Sequence, residues 1–172
     1  MELRYIAPDL RQLDTAGAEV LACAVFTDLL PPKGLLGLVD WRMAARVSRH
    51  IETGEISGRP GELVMIPGKP RIPFEKLLLL GAGEARAFDE AAYLDVIVRM
   101  LAVLSSLKVR MAVVERPGRF LGVIDTTRAI ELLLRASAEQ GEQDTWTLVE
   151  EGEDQKLIAQ HLAEERRRKR MR

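Results

Sequence analysis

The sequence predicts an α/β protein, a three-layer α/β/α sandwich around a mixed, mostly parallel sheet. Continuous apolar runs at 19–26 and 76–80 are typical of strands covered on both faces. Between such runs, segments with apolar residues at three- and four-residue steps indicate helices that pack on one side. Alternation of the two at these lengths favours a sheet with helices on both faces.

The first half of the chain is predicted to contain four strands and one helix. The strands span residues 2–7, 19–26, 63–66 and 76–80, and the last two are expected to pair as neighbours. The helix follows the breaker at 31–34 and runs from Leu36 to Ile51, with apolar residues on one face. Gly54 is expected to end it in the left-handed conformation, which glycine adopts without a Cβ penalty.

The second half is predicted to alternate in the same way. Asp89 is an N-cap candidate for a helix to about Ser106, and Phe88 and Tyr93 are spaced for a hydrophobic staple. A strand at 109–114 follows, and then a helix capped by Asp125 or Thr126. The remaining predictions are an end to that helix at Gly141, a strand at 145–149, and a final helix over 153–170 with Leu157, Ile158, His161 and Leu162 facing inward.

Length and composition are those of one soluble domain. The chain has 172 residues, 47% hydrophobic and 30% charged. We expect residues 1–150 to form the α/β domain and 151–172 to form a helix with a basic tail, packed on or extending from it. No apolar run approaches the roughly 20 residues that span a bilayer, and no secretory signal opens the chain. The expectation is a cytoplasmic protein with no membrane partner, in which the single Cys23 is a buried, inert thiol.

Four segments, in order, carry a family resemblance. They are Leu-Val-Asp-Trp-Arg at 38–42, Gly-Glu-Ile-Ser-Gly-Arg-Pro-Gly-Glu at 54–62, Lys-Leu-Leu-Leu-Leu-Gly-Ala-Gly-Glu at 76–84 and Phe-Asp-Glu-Ala-Ala-Tyr at 88–93. Over roughly residues 19–140 the chain resembles the amino-terminal domain of the leucine aminopeptidase, or cytosol aminopeptidase, family. The resemblance implies a macro-domain-like fold. It also implies that the catalytic domain, with its two metal ions, has no counterpart in this chain.

The residues themselves supply no catalytic or metal-binding set. A two-metal hydrolase needs several carboxylates around its ions, and the family's Asn-Thr-Asp-Ala-Glu-Gly-Arg signature does not occur. The nearest segment, residues 123–128, lacks the second carboxylate and the glycine, so Asp125 is interpreted as a helix cap. His50 and His161 lie far apart in sequence and are expected to occupy helix faces. We therefore predict no catalytic residues, no metal and no cofactor.

Glycines after the strand at 76–80 are a weak candidate for a ligand loop. Gly81, Gly83 and Glu84, with Gly118, could bring backbone amides close to a phosphate. The dinucleotide pattern would need a small residue at position 86, where Arg86 stands. A tight strand-to-helix turn is the main expectation.

Basic residues concentrate at the carboxyl terminus. Arg166, Arg167, Arg168, Lys169, Arg170 and Arg172 are six of the 25 basic residues, which leaves 19 against 26 acidic residues, a net charge of −7, for the rest of the chain. The main expectation is a solvated helix end, whose cations favour the helix dipole. The alternative is contact with nucleic acid or another polyanion.

The two tryptophans are expected mainly to pack, with an interface as the alternative. Trp41 and Arg42, on a segment that carries the resemblance, are the first interaction candidates. The leading hypothesis is a non-catalytic protein that associates with itself or with another protein, including a separate aminopeptidase chain. A nucleotide-binding module and nucleic-acid contact through the tail are the alternatives.

Overall fold

The computed structural model describes residues 2–140 and 145–170. In this part of the chain the strands form one sheet in the order β1-β6-β5-β2-β4-β3, with β3 antiparallel to β4 and the other pairs parallel. The strands are β1 (Glu2–Ile6), β2 (Ala18–Val25), β3 (Leu63–Pro67), β4 (Phe74–Gly81), β5 (Met111–Glu115) and β6 (Thr145–Val149).

Helices cover both faces of this sheet. They are α1 (Leu10–Ala16), α2 (Gly34–Arg42), α3 (Arg46–Glu52), α4 (Glu90–Ser106), α5 (Thr126–Gln140) and α6 (Gly152–Arg170). The central strand β2 shows how the layers meet, since Val20 and Ala22 pack with α4, α5 and α6. Leu21 and Cys23 point to the other face and pack with α1, α2 and α3. The predicted three-layer α/β/α sandwich with a mixed, mostly parallel sheet is confirmed.

The helix predicted over 36–51 is instead two helices. Ala44 and Ala45 take φ values of +56° and +58° and break it between α2 and α3. Asp40 stabilises the break, because its Oδ1 accepts the amides of Val47 and Ser48 at 2.8 and 3.1 Å, at the start of α3. The sequence has no glycine or proline at this turn. The apolar spacing therefore predicted one uninterrupted helix.

Helix α1 was not predicted. Asp9 caps it by accepting the amide of Gln12 at 2.8 Å, and Leu13 is its buried residue. Seven residues with one buried side chain are too short to show a helical period.

The predicted caps are found where the sequence placed them. Asp89 accepts the amide of Ala92 at 2.9 Å at the start of α4. Asp125 accepts the amides of Thr127 and Arg128 at 2.9 and 3.2 Å at the start of α5. Gly54, with φ +77°, follows α3 as expected.

The predicted inward face of α6 is only partly right. Ile158 is fully buried, whereas Leu157 is 47% exposed, because adjacent helix residues point about 100° apart. The predicted helix end at Gly141 lies outside the described residues. The division of the chain at residue 150 stays a prediction.

Candidate functional site: the strand-end edge and the Trp41 groove

The carboxyl ends of β2, β4, β5 and β6 meet at one edge of the sheet, where open α/β sheets bind ligands. Three phenylalanines occupy this edge. The ring of Phe26 makes edge-to-face contacts with Phe88 and Phe120, with centroids 5.2 and 6.0 Å apart. The space left beside Phe26, Lys33 and Phe120 is about 10 Å³, at the lower limit for a single water. The space between these residues is too small for a nucleotide.

The glycine turn at this edge uses its backbone amides within the protein. Gly81 N donates to Glu62 O, Ala82 N to Val25 O, and Gly83 N to Gly58 O, each at 2.9 Å. A Cβ on Gly81 would lie 1.9 Å from the carbonyl oxygen of Arg59, so this glycine allows two backbone segments to approach closely. These contacts match the tight turn expected from the sequence, and they leave none of the three amides for a phosphate.

The other ligand-loop candidates are engaged in the same way. Glu84 pairs with Arg86 at 2.9 Å, which lowers the pKa of the Glu84 carboxyl. Gly118 has φ +67°, and a Cβ there would lie 2.5 Å from the ring of Phe88. Gly118 is therefore needed for aromatic packing at the edge.

Two of the protein's own carboxylates, Asp28 and Glu62, accept backbone amides in the segments that flank the glycine turn. Asp28 accepts the amides of Ala85 and Arg86 at 2.6 and 3.3 Å, and the bond from Ala85 is the main cause that lowers the pKa of Asp28. Burial opposes ionisation of Glu62, but hydrogen bonds from the Ser57 and Gly58 amides outweigh it and lower the pKa of Glu62. A phosphate placed here would meet negative charge.

Sequence reasoning missed a set of buried charges at the same edge. Arg116 and Glu150, directly after β5 and β6, form an ion pair with side chains 4% and 0% exposed. The guanidinium Nη2 of Arg116 lies 2.8 Å from Glu150 Oε2, and 3.4 Å from the hydroxyl of Thr126, which donates to Asp154 at 2.8 Å. This chain of contacts joins the strand ends to the first turns of α5 and α6. Charged residues directly after two apolar strands were the available signal, since ends of neighbouring parallel strands meet.

Glu115, the last residue of β5, is buried and faces α2. Its Oε1 accepts the amide of Leu35 at 3.1 Å and lies 3.6 Å from Nη2 of Arg119. Burial is the largest influence on this carboxyl and raises its pKa to about 7, although the Leu35 amide and Arg119 act in the opposite direction. Lys33 precedes α2, but its side chain does not cap the helix. Glu115 takes that role, because it accepts an amide of the first turn.

Trp41 lies on the opposite side of α2 from the core. Val39 is fully buried, and Trp41, two residues and about 200° further round the helix, is 73% exposed. Packing into the chain's own core, the main expectation for both tryptophans, is therefore wrong for Trp41, whereas Trp146 is buried. Arg42, the other interaction candidate, forms a bidentate ion pair with Asp14 of α1, with N–O distances of 2.9 and 3.0 Å.

An open groove of about 740 Å³ lies beside Trp41. It is lined by Pro31–Gly34, by residues of α2 including Leu38 and Trp41, and by Ala44, Ala45 and Ser48. We call it the Trp41 groove. Gly37 allows α2 to approach the proline segment, because a Cβ at this position would lie 2.6 Å from the carbonyl oxygen of Pro32. The groove therefore combines a fixed backbone with a large exposed aromatic side chain.

The basic tail continues α6. Arg167, Arg168 and Arg170 are exposed, and Arg168 lies 4.0 Å from Glu164. Arg166 lines an open groove of about 510 Å³ with residues of β1, α5 and α6. The side chain of Lys169 and residues 171–172 lie outside the described part.

The remaining reactive side chains lie apart from one another. Cys23 is 1% exposed, and burial raises its pKa well above the usual range. His50 contacts Glu55, and His161 lies 3.2 Å from Glu131. Across residues 2–140 and 145–170, no cluster of three or more His, Cys, Asp or Glu side chains could hold a metal ion. In the same residues no helix has the length and apolar content needed to cross a bilayer.

Comparison with solved structures gives the fold class. The chain is similar to the Oceanobacillus iheyensis macrodomain with ADP, with a TM-score of 0.68 at 13% identity, over 88% of this chain and 86% of that one. It is also similar to a tomato leucine aminopeptidase, with a TM-score of 0.63 at 14% identity, over 94% of this chain and 35% of that one. At such identities the likeness shows a shared macrodomain-like fold.

Comparison of sequences gives the family. A probable cytosol aminopeptidase of Stutzerimonas stutzeri is 33% identical over 69 residues, which cover 40% of this chain and 14% of that protein. The matched region is thus a small part of a much longer relative. Residues 24–145 match the N-terminal domain of the cytosol aminopeptidase family, and the chain therefore belongs to that family.

Proposed function

We propose that this domain acts in protein association and is not itself catalytic. The observation that carries the proposal is the 73% exposure of Trp41 on a helix whose other side is buried. A large aromatic side chain left in water keeps its apolar surface available for a partner. Tryptophan is also among the residues that contribute most to binding energy at protein interfaces.

The contacts that hold α2 support this role. Its first turn is tied to β5 through Glu115, and its end is tied to α3 through Asp40. Val39 and Leu35 anchor its inner side. Because these contacts set the helix in place before binding, less conformational entropy is lost when a partner covers Trp41.

The proposed partner is a second copy of the chain or another protein, including a separate aminopeptidase chain. The curated relative is far longer than the matched region, so a family member could supply the catalytic part. Hydrolysis of the two-metal aminopeptidase type would need a metal site in this domain. Robust turnover of a leucyl anilide by the purified protein with manganese or zinc would contradict the non-catalytic part of the proposal.

Trp41→Ala tests the association. Val123→Ala is the matched control, since Val123 is an exposed apolar residue, 55% accessible, outside the Trp41 groove. Self-association is measured by light scattering across protein concentration, and partner retention by quantitative mass spectrometry of the tagged protein from its native cell. We expect Trp41→Ala to weaken association by roughly 2 kcal/mol, about thirtyfold in Kd, and Val123→Ala to leave it unchanged. Equal association of all three proteins would contradict the proposal.

A macro-like nucleotide site is the second candidate, favoured by the likeness to a macrodomain with ADP. The phenylalanine cluster and the Asp28 carboxylate argue against it. A thermal-shift titration with ADP-ribose and mononucleotides distinguishes the two, because a ligand at a hundredfold excess over Kd stabilises by about 2.7 kcal/mol. With the Oceanobacillus macrodomain as positive control, we expect no shift here. A saturable rise in Tm would favour this candidate.

A further inference from the structure

The Trp41 groove lies in a basic part of an acidic protein. Residues 33–50 contain four cations, Lys33, Arg42, Arg46 and Arg49, and one carboxylate, Asp40. Asp14 of α1 pairs with Arg42, which leaves the other three cations in excess. Without the carboxyl-terminal tail, the chain as a whole has a net charge of −7. The sign of the charge around the groove is therefore opposite to that of the rest of the body.

The carboxylate in this segment is directed inward. Asp40 is 6% exposed and accepts hydrogen bonds from Val47 N, Ser48 N and the Ser48 hydroxyl. Lys33 is exposed and lines the groove, and Arg49 is exposed on α3, with its Nη1 donating to Ala44 O at 2.8 Å. A partner that approaches Trp41 thus meets cations, while the Asp40 carboxylate is turned inward and hydrogen-bonded within the protein.

We infer that the Trp41 groove binds an acidic segment of a partner protein, with an apolar side chain against Trp41 and carboxylates beside Lys33 and the arginines of α3. This inference rests on the proposed association function and adds the chemistry of the partner. Opposite charges across such a contact raise the association rate and exclude partners of the wrong sign.

A protein segment fits better here than a nucleic acid. Among residues 31–50, Trp41 is the single Phe, Tyr or Trp, whereas single strands are held by several stacked bases along a positive track. A long polyanion would also meet the field of the acidic body, which a short acidic segment can avoid.

The fluorescence of Trp41 reports the test directly, since the other tryptophan, Trp146, is buried. The full chain is titrated with a short synthetic peptide of leucine, phenylalanine and glutamate, and with a matched peptide that has lysine for each glutamate. We expect the acidic peptide to shift the emission to shorter wavelength and the lysine peptide to have no effect. Trp41→Phe removes the signal, and Lys33→Glu weakens binding by on the order of tenfold.

Lys156→Glu is the charge control, because Lys156 is exposed on α6, which covers the other face of the sheet. Circular dichroism confirms that each variant is folded. The inference is overturned if the lysine peptide binds equally well, if only single-stranded DNA shifts the emission, or if neither peptide binds. A shift produced by raising the protein concentration alone would identify a second copy as the occupant and would also overturn it. Loss of association in Trp41→Ala, with no response to acidic peptide, would leave the proposed function standing and reject only this inference.

Discussion

The carboxylate of Glu115 accepts the backbone amide of Leu35 at 3.1 Å and so connects the end of β5 to the first turn of α2. This bond joins two segments 80 residues apart. It places a buried acid beneath the helix that presents Trp41. The strand-end edge and the Trp41 groove are thereby parts of one packed unit.

Glu115 is expected to make stability depend on pH. Its pKa is raised from 4.5 to about 7 in the folded protein, so between these values the folded state holds a proton that the unfolded state has released. Its contribution to stability is therefore present below about pH 4.5 and is lost as pH rises to about 7. The glutamine in Glu115→Gln does not titrate. The free energy of unfolding of this variant should therefore fall less over this pH range than that of the wild type, by at most about 3 kcal/mol.

Urea unfolding of the wild type and Glu115→Gln at pH 5 and pH 8 measures this difference. The change in unfolding free energy between the two pH values is compared for the two proteins, so that contributions from the other titrating groups cancel. A Glu115→Gln protein that loses as much stability as the wild type over this range would show that Glu115 does not titrate there.

Removing one partner of the Arg116–Glu150 pair is expected to destabilise the protein much more than replacing both partners. Removing one partner leaves a buried charge without compensation, so Arg116→Met or Glu150→Leu alone should lose roughly 3–5 kcal/mol. The double variant removes both charges and should recover most of that loss. Chemical denaturation gives all four free energies of unfolding. Additive losses in the double variant would mean that the two side chains are not coupled.

Glycine at position 45 is expected to stabilise the protein. Ala45 holds φ +58°, a conformation that costs an L-residue roughly 1–2 kcal/mol. Ala45→Gly relieves this strain but gives the unfolded chain more freedom, which leaves a gain of about 0.5–1 kcal/mol. Ala102→Gly, at an exposed position within α4, is the control and should lose roughly 1 kcal/mol. Thermal unfolding measures the stability of both variants. A lower stability of Ala45→Gly as well as of Ala102→Gly would contradict the assignment of strain to Ala45.

The basic tail is expected to give only weak, salt-sensitive binding to polyanions. Arg167, Arg168 and Arg170 are exposed at the end of α6, but without the six basic residues of 166–172 the chain carries a charge of −7. Replacing these three arginines with glutamine should abolish retention on single-stranded DNA at low salt. Lys33→Glu, on the opposite face, should have little effect. Retention that persists in moderate salt, or without these arginines, would contradict this account.

The sequence alone determined the elements whose signals are local. Apolar runs located the buried strands, and the side chains of Asp89 and Asp125 marked the starts of α4 and α5, because a cap acts on amides within the next few residues. The order of the four segments between residues 38 and 93 also indicated the family. These features depend on neighbours along the chain, so they can be identified before the fold is known.

Only the tertiary structure decided the rest. The break at Ala44 and Ala45 depends on an Asp40 carboxylate that reaches forward to α3, and the Glu115 and Arg116 contacts join residues distant in sequence. The exposure of Trp41 depends on which side of α2 faces the sheet. The sequence alone does not distinguish a buried tryptophan from an exposed one. Burial depends on how the helices and the sheet pack together.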